Sequence, residues 1–419
     1  MTISVSHAGR ALRHRNFKLF FFGQGISVIG TWMTKLATTW LVYRLTHSAW
    51  MLGLVTFSGQ ILSFLLGPFA GAWVERMERR RLLLWTQALA AIQSLALAFL
   101  TLGHTITIGQ IIGLSALQGV INAFDMPARQ SFLVQMVTRE DLGNAIAINS
   151  SMANGARLIG PALAGMLIAA VGEGWCFMVD GLSYLAVIAS LLLMRLPPLE
   201  RVVNVKSLVE QMREGWDYVR GFRPVRSLLL LFALLSLMGY PYAVLLPFFA
   251  QKLGSGAATL GWLTAASGIG ALASGLSLAF RKSVRGLTRM LTVAGVLLGT
   301  GLMLFGMSHT LWLSLLLMLF VGFGQMQIAA ISNTVIQTLV PEEMRARAMS
   351  YYTMAFFGAT PLGSLLAGSM ADRWGEAPTV IFTGACCLLG ALWFARLRPS
   401  LIPEMRPIYQ SLGLIEQKA

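Results

Sequence analysis

Charge is scarce in this sequence. Only 12% of its 419 residues are Asp, Glu, Lys or Arg, against 56% hydrophobic, where a soluble domain carries about a quarter charged. A soluble globular fold is excluded on that ground alone. Acidic residues are scarcest, 17 against 32 Lys and Arg, for a net charge of +15. Cysteine is nearly absent. Cys176, Cys386 and Cys387 all fall in apolar runs, offer neither a disulfide framework nor a zinc spacing, and read as small apolar packing residues. The five histidines, at 7, 14, 47, 104 and 309, lie in tails or at helix edges without ligand spacing, so no metal site is expected. A Gly-x-x-x-x-Gly-Lys-Ser/Thr loop is also lacking, which argues against ATP-driven pumping, and the Ser and Cys residues have no base partner. The expectation is a protein that is not an enzyme and needs no cofactor.

What remains is long apolar runs. A membrane-spanning helix needs roughly 20 mostly apolar residues, and twelve candidates occur, at about 17–43, 50–74, 82–102, 107–128, 144–171, 175–194, 227–250, 259–280, 288–307, 311–335, 348–371 and 378–395. The basic start, Arg10 to Lys18, runs into the first of these with no small-residue cleavage site, so it reads as a retained helix rather than a signal peptide. Arg44, Lys252 and Arg373 lie in odd-numbered loops, and Lys35 and Arg157 lie within spans. Every other Lys and Arg falls at the termini, in even-numbered loops or at the adjoining span ends. By the positive-inside rule, both termini and the even loops are cytoplasmic. The basic excess is therefore a topology signal and not a nucleic-acid patch, because it is spread over many loops.

The widest polar gap, 195–226, separates an N-terminal six-helix half (1–194) from a C-terminal one (227–395), with a cytoplasmic tail at 396–419. Within the gap, Leu208, Met212, Trp216 and Val219 recur at helical spacing, which predicts an amphipathic helix, lying on the inner membrane surface or serving as a solvated linker. The halves align at an offset of 203: Gly119 with Gly322, Val137 with Val340, Glu140 with Glu343, Ala145 with Ala348, Gly155 with Gly358, and Gly165 with Gly368.

Three motifs carry a resemblance. Gly71, Glu75, Arg76, Arg79 and Arg80 match the Gly-x-x-x-Asp-Arg-x-x-Arg-Arg loop after the second helix of major facilitator transporters, with Glu in place of the usual Asp. Gly160, Pro161 and Gly165 resemble the Gly-Pro-x-x-x-Gly signature in the fifth helix of facilitator antiporters, although simple tight packing of small residues would look the same. Phe124-Asp125-Met126-Pro127-Ala128-Arg129-Gln130, Arg139-Glu140-Asp141-Leu142-Gly143-Asn144-Ala145, Asn16-Phe17, Gly30-Thr31-Trp32-Met33 and Gly174-Trp175-Cys176-Phe177 resemble the enterobactin-exporter-like branch of that superfamily. The resemblance covers nearly the whole chain. It implies an all-α integral membrane fold of twelve transmembrane helices in two pseudo-symmetric six-helix halves, the major facilitator fold. It also implies secondary efflux of a small organic molecule, siderophore- or drug-like, across the bacterial inner membrane by alternating access and proton antiport. One family feature is missing: no Arg lies within the fourth span, where many drug antiporters have one.

Partners are then a small-molecule substrate, protons and the lipid bilayer, and the chain is expected to work as a monomer. An uptake permease or a lysolipid flippase on the same fold stays open, as does a non-transporting membrane sensor or scaffold.

Ionisable residues inside the bilayer are costly and invite functional readings. Asp125, near the cytoplasmic end of span four, is expected to pair with Arg79 or Arg76 in a gating latch completed by Glu75. Asp180, Lys35 and Arg157 are the candidates for proton coupling. Counting about 1.5 Å per residue from the outer turns puts Asp180 roughly 11 Å deep, Lys35 roughly 18 Å and Arg157 roughly 23 Å. Depth therefore favours an Asp180–Lys35 pair, whether static or coupling. Arg157, the deepest cation, could instead attract an anionic substrate. Gln24, Gln118, Asn122, Asn154, Gln325 and Gln327 are the neutral candidates for a polar cavity, with Trp32, Trp40, Tyr240, Tyr242, Tyr351 and Tyr352 as aromatic walls.

Overall fold

A computed structural model describes residues 9–74, 77–195, 208–254, 256–281 and 286–412. The described chain is helical throughout, and by compactness it divides into two units. Unit 1 comprises 1–47, 58–204 and 255–265. Unit 2 comprises 48–57, 205–254 and 266–419. Each contains most of one expected half, with 48–57 and 255–265 exchanged.

Unit 1 is built on α1 (Arg15–Thr46), α2 (Ala49–Val74, from residue 58), α3 (Arg79–Leu102), α4 (Ile108–Leu133), α5 (Leu142–Val171) and α6 (Glu173–Leu193). Helix α4 starts on a capping box, in which the Thr107 hydroxyl accepts from the Gln110 backbone and the Gln110 amide oxygen accepts from the Thr107 N–H. This reciprocal bond satisfies two of the otherwise orphaned donors at a helix start. At the opposite end of the unit, Phe17, Phe20, Phe132, Val187 and Leu191 form a buried apolar cluster. Asn16 clamps the end of α6 there, donating to the Arg195 carbonyl (2.7 Å) and accepting from its N–H (3.2 Å). A short 3₁₀ turn, Arg10–Arg13, docks on the start of α5: the Ala11 N–H donates to Asn144 (2.9 Å) and His14 Nε2 meets Asp141 (2.8 Å). The motif around Asp141 thus anchors the N-terminus. Beside it, the exposed Glu140 carboxyl is held below its usual range by hydrogen bonds from its own backbone and from Thr138.

Unit 2 is built on α7 (Leu208–Gly221), α8 (Arg223–Gly239), α9 (Tyr242–Leu253), α10 (Ala257–Ala279, from residue 266), α11 (Leu287–Met307), α12 (Leu311–Leu339), α13 (Glu342–Phe357), α14 (Ala359–Trp374) and α15 (Glu376–Ser411). Two of the expected spans are interrupted. The seventh breaks at Tyr240-Pro241, between α8 and α9, and the eleventh at Gly358, between α13 and α14. The expected amphipathic helix is α7. It docks on α13, where Tyr351 donates to the Met212 carbonyl (2.8 Å), Trp216 packs on Tyr351 and Arg347 pairs with Glu214. Burial of Tyr218 on the same helix raises its phenol above the usual range.

The first part of the expected tail is helical, because α15 continues to Ser411. Pro399, Pro403 and Pro407 interrupt its bonding at four-residue intervals, so the carbonyls they free lie along one face. Leu401 and Met405 are buried and Glu404 pairs with Arg223 (3.2 Å), which holds the extension in place.

Among the described residues, eleven helical segments are long and apolar enough to cross a membrane. The missing one of the expected twelve is α1. It is 32 residues long, but Thr31, Thr34, Lys35, Thr38 and Thr39 dilute its apolar character.

Candidate functional site

In unit 1 the site grows from the crossing of α5 over α1. A Cβ on Gly160 would stand 2.6 Å from the Cβ of Trp32 and 2.9 Å from the Ile29 carbonyl. Only glycine allows the backbones this close. One turn earlier on α5, the Arg157 guanidinium carbon lies 5.8 Å from the centre of the Trp32 ring, and Lys35 Nζ lies 4.4 Å from the same centre. Both fall within cation–π range. Trp32 and Arg157 are half-buried and Lys35 is exposed. Among the described residues no carboxylate forms an ion pair with either cation.

The exposed side of Lys35 is not the apolar side of α1. Ile26, Ile29 and Met33 line an apolar recess of about 540 Å³ with Leu163, Met166 and Val179. Lys35 follows Ile26 by nine residues, which at 3.6 residues per turn is half a revolution.

Asp180 does not pair with Lys35. It packs against the α1 face that carries Gly30 and Thr34, about 100° around the helix from Lys35. A Cβ on Gly30 would stand 2.7 Å from Asp180 Oδ1. Oδ2 accepts from Thr34 (2.9 Å) and Ser94 (3.0 Å), while Oδ1 is buried with no hydrogen-bond partner. The expected ion pair is replaced by a carboxyl group held by two hydroxyls.

Asp125 does not pair with Arg79 either. It pairs with Arg129, one turn along α4, and accepts from Thr86 (2.8 Å) and Gln87 (2.7 Å) of α3. The spacing of four residues on one helix makes the local partner the nearer one. Arg79 donates to the Ser131 carbonyl (3.1 Å) and Arg80 to the Leu192 carbonyl (2.8 Å). Gly71 lies in the last turn of α2, and Glu75 and Arg76 lie outside the described residues.

The Gly-Pro-x-x-x-Gly stretch has two jobs in unit 1. Gly160 meets α1, and Gly165 meets the start of α10, where its Cβ would approach the Ala257 carbonyl to 2.8 Å and the Gly261 Cα to 3.0 Å; a Cβ on Gly261 would in turn stand 2.7 Å from the Pro161 carbonyl.

Of the neutral candidates in unit 1, Gln118 donates to Asn122 (3.1 Å), Asn154 donates to the Ser150 carbonyl (2.9 Å), and Gln24 is buried. In unit 2, Gln325 and Gln327 are buried. Gln325 donates to the Gly239 carbonyl (3.2 Å) and accepts, through its own carbonyl, from the Tyr240 hydroxyl (3.3 Å), bracing the α8–α9 break; Gln327 donates to Ser277 (3.2 Å). Around that break an aromatic group gathers. Phe232 stacks on Tyr352 with ring centres 4.5 Å apart, and Phe356 sits edge-on to Tyr240 at 4.9 Å.

The sequence reading missed a matched pair of contacts. Glu173, first residue of α6, pairs with Arg44 at the end of α1 (2.8 Å) in unit 1. Glu376, first residue of α15, pairs with Lys252 at the end of α9 in unit 2. Each glutamate follows a glycine of positive φ, Gly172 at 92° and Gly375 at 89°. In unit 2, Asp372 also caps the start of α2, accepting from the Ala49 N–H (2.7 Å) and the Ser48 hydroxyl (2.8 Å).

The family model described as transmembrane secretion effector matches residues 7–408. The chain is 26% identical to the staphyloferrin A transporter of Staphylococcus aureus (strain NCTC 8325 / PS 47), over 90% of this chain and 95% of the relative. It is 27% identical to the multidrug efflux pump Tap of Mycolicibacterium fortuitum, over 91% and 96%, and 26% identical to the enterobactin exporter EntS of Escherichia coli (strain UTI89 / UPEC), over 95% and 94%. Among solved structures, it superposes on a bacterial homolog of the human lysosomal transporter Spinster with a TM-score of 0.73 at 14% identity, covering 96% of this chain and 99% of that one. On a POT family transporter in complex with 5-aminolevulinic acid the TM-score is 0.75 at 13% identity, covering 92% and 96%. These likenesses show the fold alone.

Proposed function

Because this chain belongs to the transmembrane secretion effector family of major facilitator transporters, we propose that it exports a small organic molecule across the bacterial inner membrane, by alternating access and in exchange for protons. The family makes it a multi-pass transporter of small molecules and not an enzyme. The similar proteins are named as a staphyloferrin A transporter, an enterobactin exporter and a multidrug efflux pump, and two of these three names favour export over uptake.

The observation that carries proton exchange is Asp180. It is a buried carboxyl inside a span, with one oxygen lacking a hydrogen-bond partner and no ion pair among the described residues, and a group so placed invites a functional reading. Rearrangement of α1 against α6 would change the hydroxyls that face it and so change its hold on the proton. Asp125 is the poorer candidate, because Arg129, Thr86 and Gln87 already hold it.

The test compares the small molecules released into the medium by cells lacking the gene and by cells overexpressing it, each with and without a protonophore. Compounds released in proportion to expression, and retained when the protonophore is added, support the proposal. Release that ignores the protonophore contradicts proton exchange, and no expression-dependent release contradicts export.

A further inference from the structure

We propose that Lys35, Trp32 and Arg157 form a binding site for an organic anion, so that the molecule exported carries a carboxylate or another acidic oxygen beside an apolar body. This inference rests on the export reading and names the substrate class.

Arg157 stands about 21 Å from the end of α5, and Lys35 about 16 Å from the end of α1, counted at 1.5 Å per residue. Cations at such depth in a membrane protein face a water-filled path or a partner, not lipid. Lys35 lies on the side of α1 away from the apolar recess, against the Trp32 ring that it shares with Arg157. Among the described residues no carboxylate pairs with either cation, and the buried Asp180 of α6 is bound to Thr34 on another face of α1 and to Ser94 of α3.

Two cations sharing one indole repel each other, and an anion entering beside them relieves both. Their chemistry is complementary. The guanidinium offers a planar fork that fits a carboxylate with two parallel hydrogen bonds, and the ammonium is a mobile point charge. The Trp32 ring positions both by cation–π contact and adds a broad apolar surface. The seam continues toward the other end of α1 as Gly25 against Met152, where a Cβ would lie 3.4 Å from the methionine sulfur. Methionine is polarizable and adapts to varied apolar shapes. The site therefore sets two cations against one apolar ring, which suits an organic acid and disfavours a cationic cargo.

Two measurements test this, and they fail separately. The first uses iodide, caesium and acrylamide as anionic, cationic and neutral quenchers of tryptophan fluorescence in purified full-length protein. The Trp32 contribution is isolated by subtracting the signal of Trp32→Phe. Trp32 should be quenched several-fold more by iodide than by caesium, and Lys35→Gln and Arg157→Gln should each lower that ratio while leaving acrylamide quenching in place. Equal quenching by the two ions, or a ratio indifferent to both substitutions, overturns the anion site whether or not the protein exports anything. The second measurement reads the charge of the compounds released in the expression experiment. Acidic compounds should be enriched, with their release reduced at least tenfold in Arg157→Gln and partly restored in Arg157→Lys. Release of only neutral or cationic compounds overturns the assignment of substrate class while leaving export intact.

Discussion

Gly160 stands against Trp32 with no room for a side chain between them: a Cβ there would meet the tryptophan Cβ at 2.6 Å. Gly160→Ala should therefore push α5 off α1 and shift Arg157 from the indole. Overpacking of this kind costs about 1–3 kcal/mol, so the midpoint of thermal unfolding in detergent should fall. Release of substrate should fall further than the loss of folded protein explains. Unchanged stability would mean the crossing is looser than drawn.

Asp125 pairs with Arg129, where the sequence points to Arg79 or to Arg76, the latter outside the described residues. In a double-mutant cycle on stability, Asp125→Asn and Arg129→Gln should couple, with the double loss smaller than the sum of the singles. Asp125→Asn and Arg79→Ala should be nearly additive. Breaking a fully buried pair costs about 3–5 kcal/mol; the partial exposure of Arg129 puts Asp125→Asn at or below the lower end of that range. Strong coupling to Arg79 would restore the original pairing.

Asp372 holds the first turn of α2 by its backbone and by Ser48. Removing such a cap typically costs about 0.5–2 kcal/mol. Asp372→Ala should raise amide exchange at residues 49–52 in unit 2, and Asp372→Asn, which keeps an acceptor, should raise it less. Equal protection in both variants would show that the cap contributes nothing.

Topology has its own check. Cysteine placed at Asp217, exposed on α7, should react only with reagents applied from the cytoplasmic side, and cysteine at Gly103 only from the outside. Labelling of position 217 from outside would overturn the cytoplasmic position of α7 and the orientation derived from the Lys and Arg distribution.

The spans were legible in the sequence because hydropathy is a sum over many residues and tolerates local error. The family was legible because Gly160, Pro161, the Asp141–Asn144 stretch and the Asn16-Phe17 start keep their spacing. Pairings were not. Depth along an axis suggested Asp180 with Lys35, but which face a residue occupies decides contact, and Thr34 rather than Lys35 faces α6. For Asp125 the sequence points across the loop to Arg79 or Arg76, while Arg129 stands four residues away on the same helix. The breaks at Tyr240-Pro241 and Gly358 were hidden inside continuous apolar runs. The two glutamate pairs could have been found, since Gly172-Glu173 and Gly375-Glu376 lie at the same offset of 203 that aligns Gly165 with Gly368.

The account turns on proton exchange at Asp180. The direct measurement loads inside-out vesicles, under an imposed pH gradient, with an acidic compound found in the release experiment, and compares wild type with Asp180→Asn at equal amounts of folded protein. The account predicts that wild-type uptake rises with the gradient, while Asp180→Asn still exchanges the compound at a rate indifferent to it. Full gradient-driven uptake in Asp180→Asn would contradict the account.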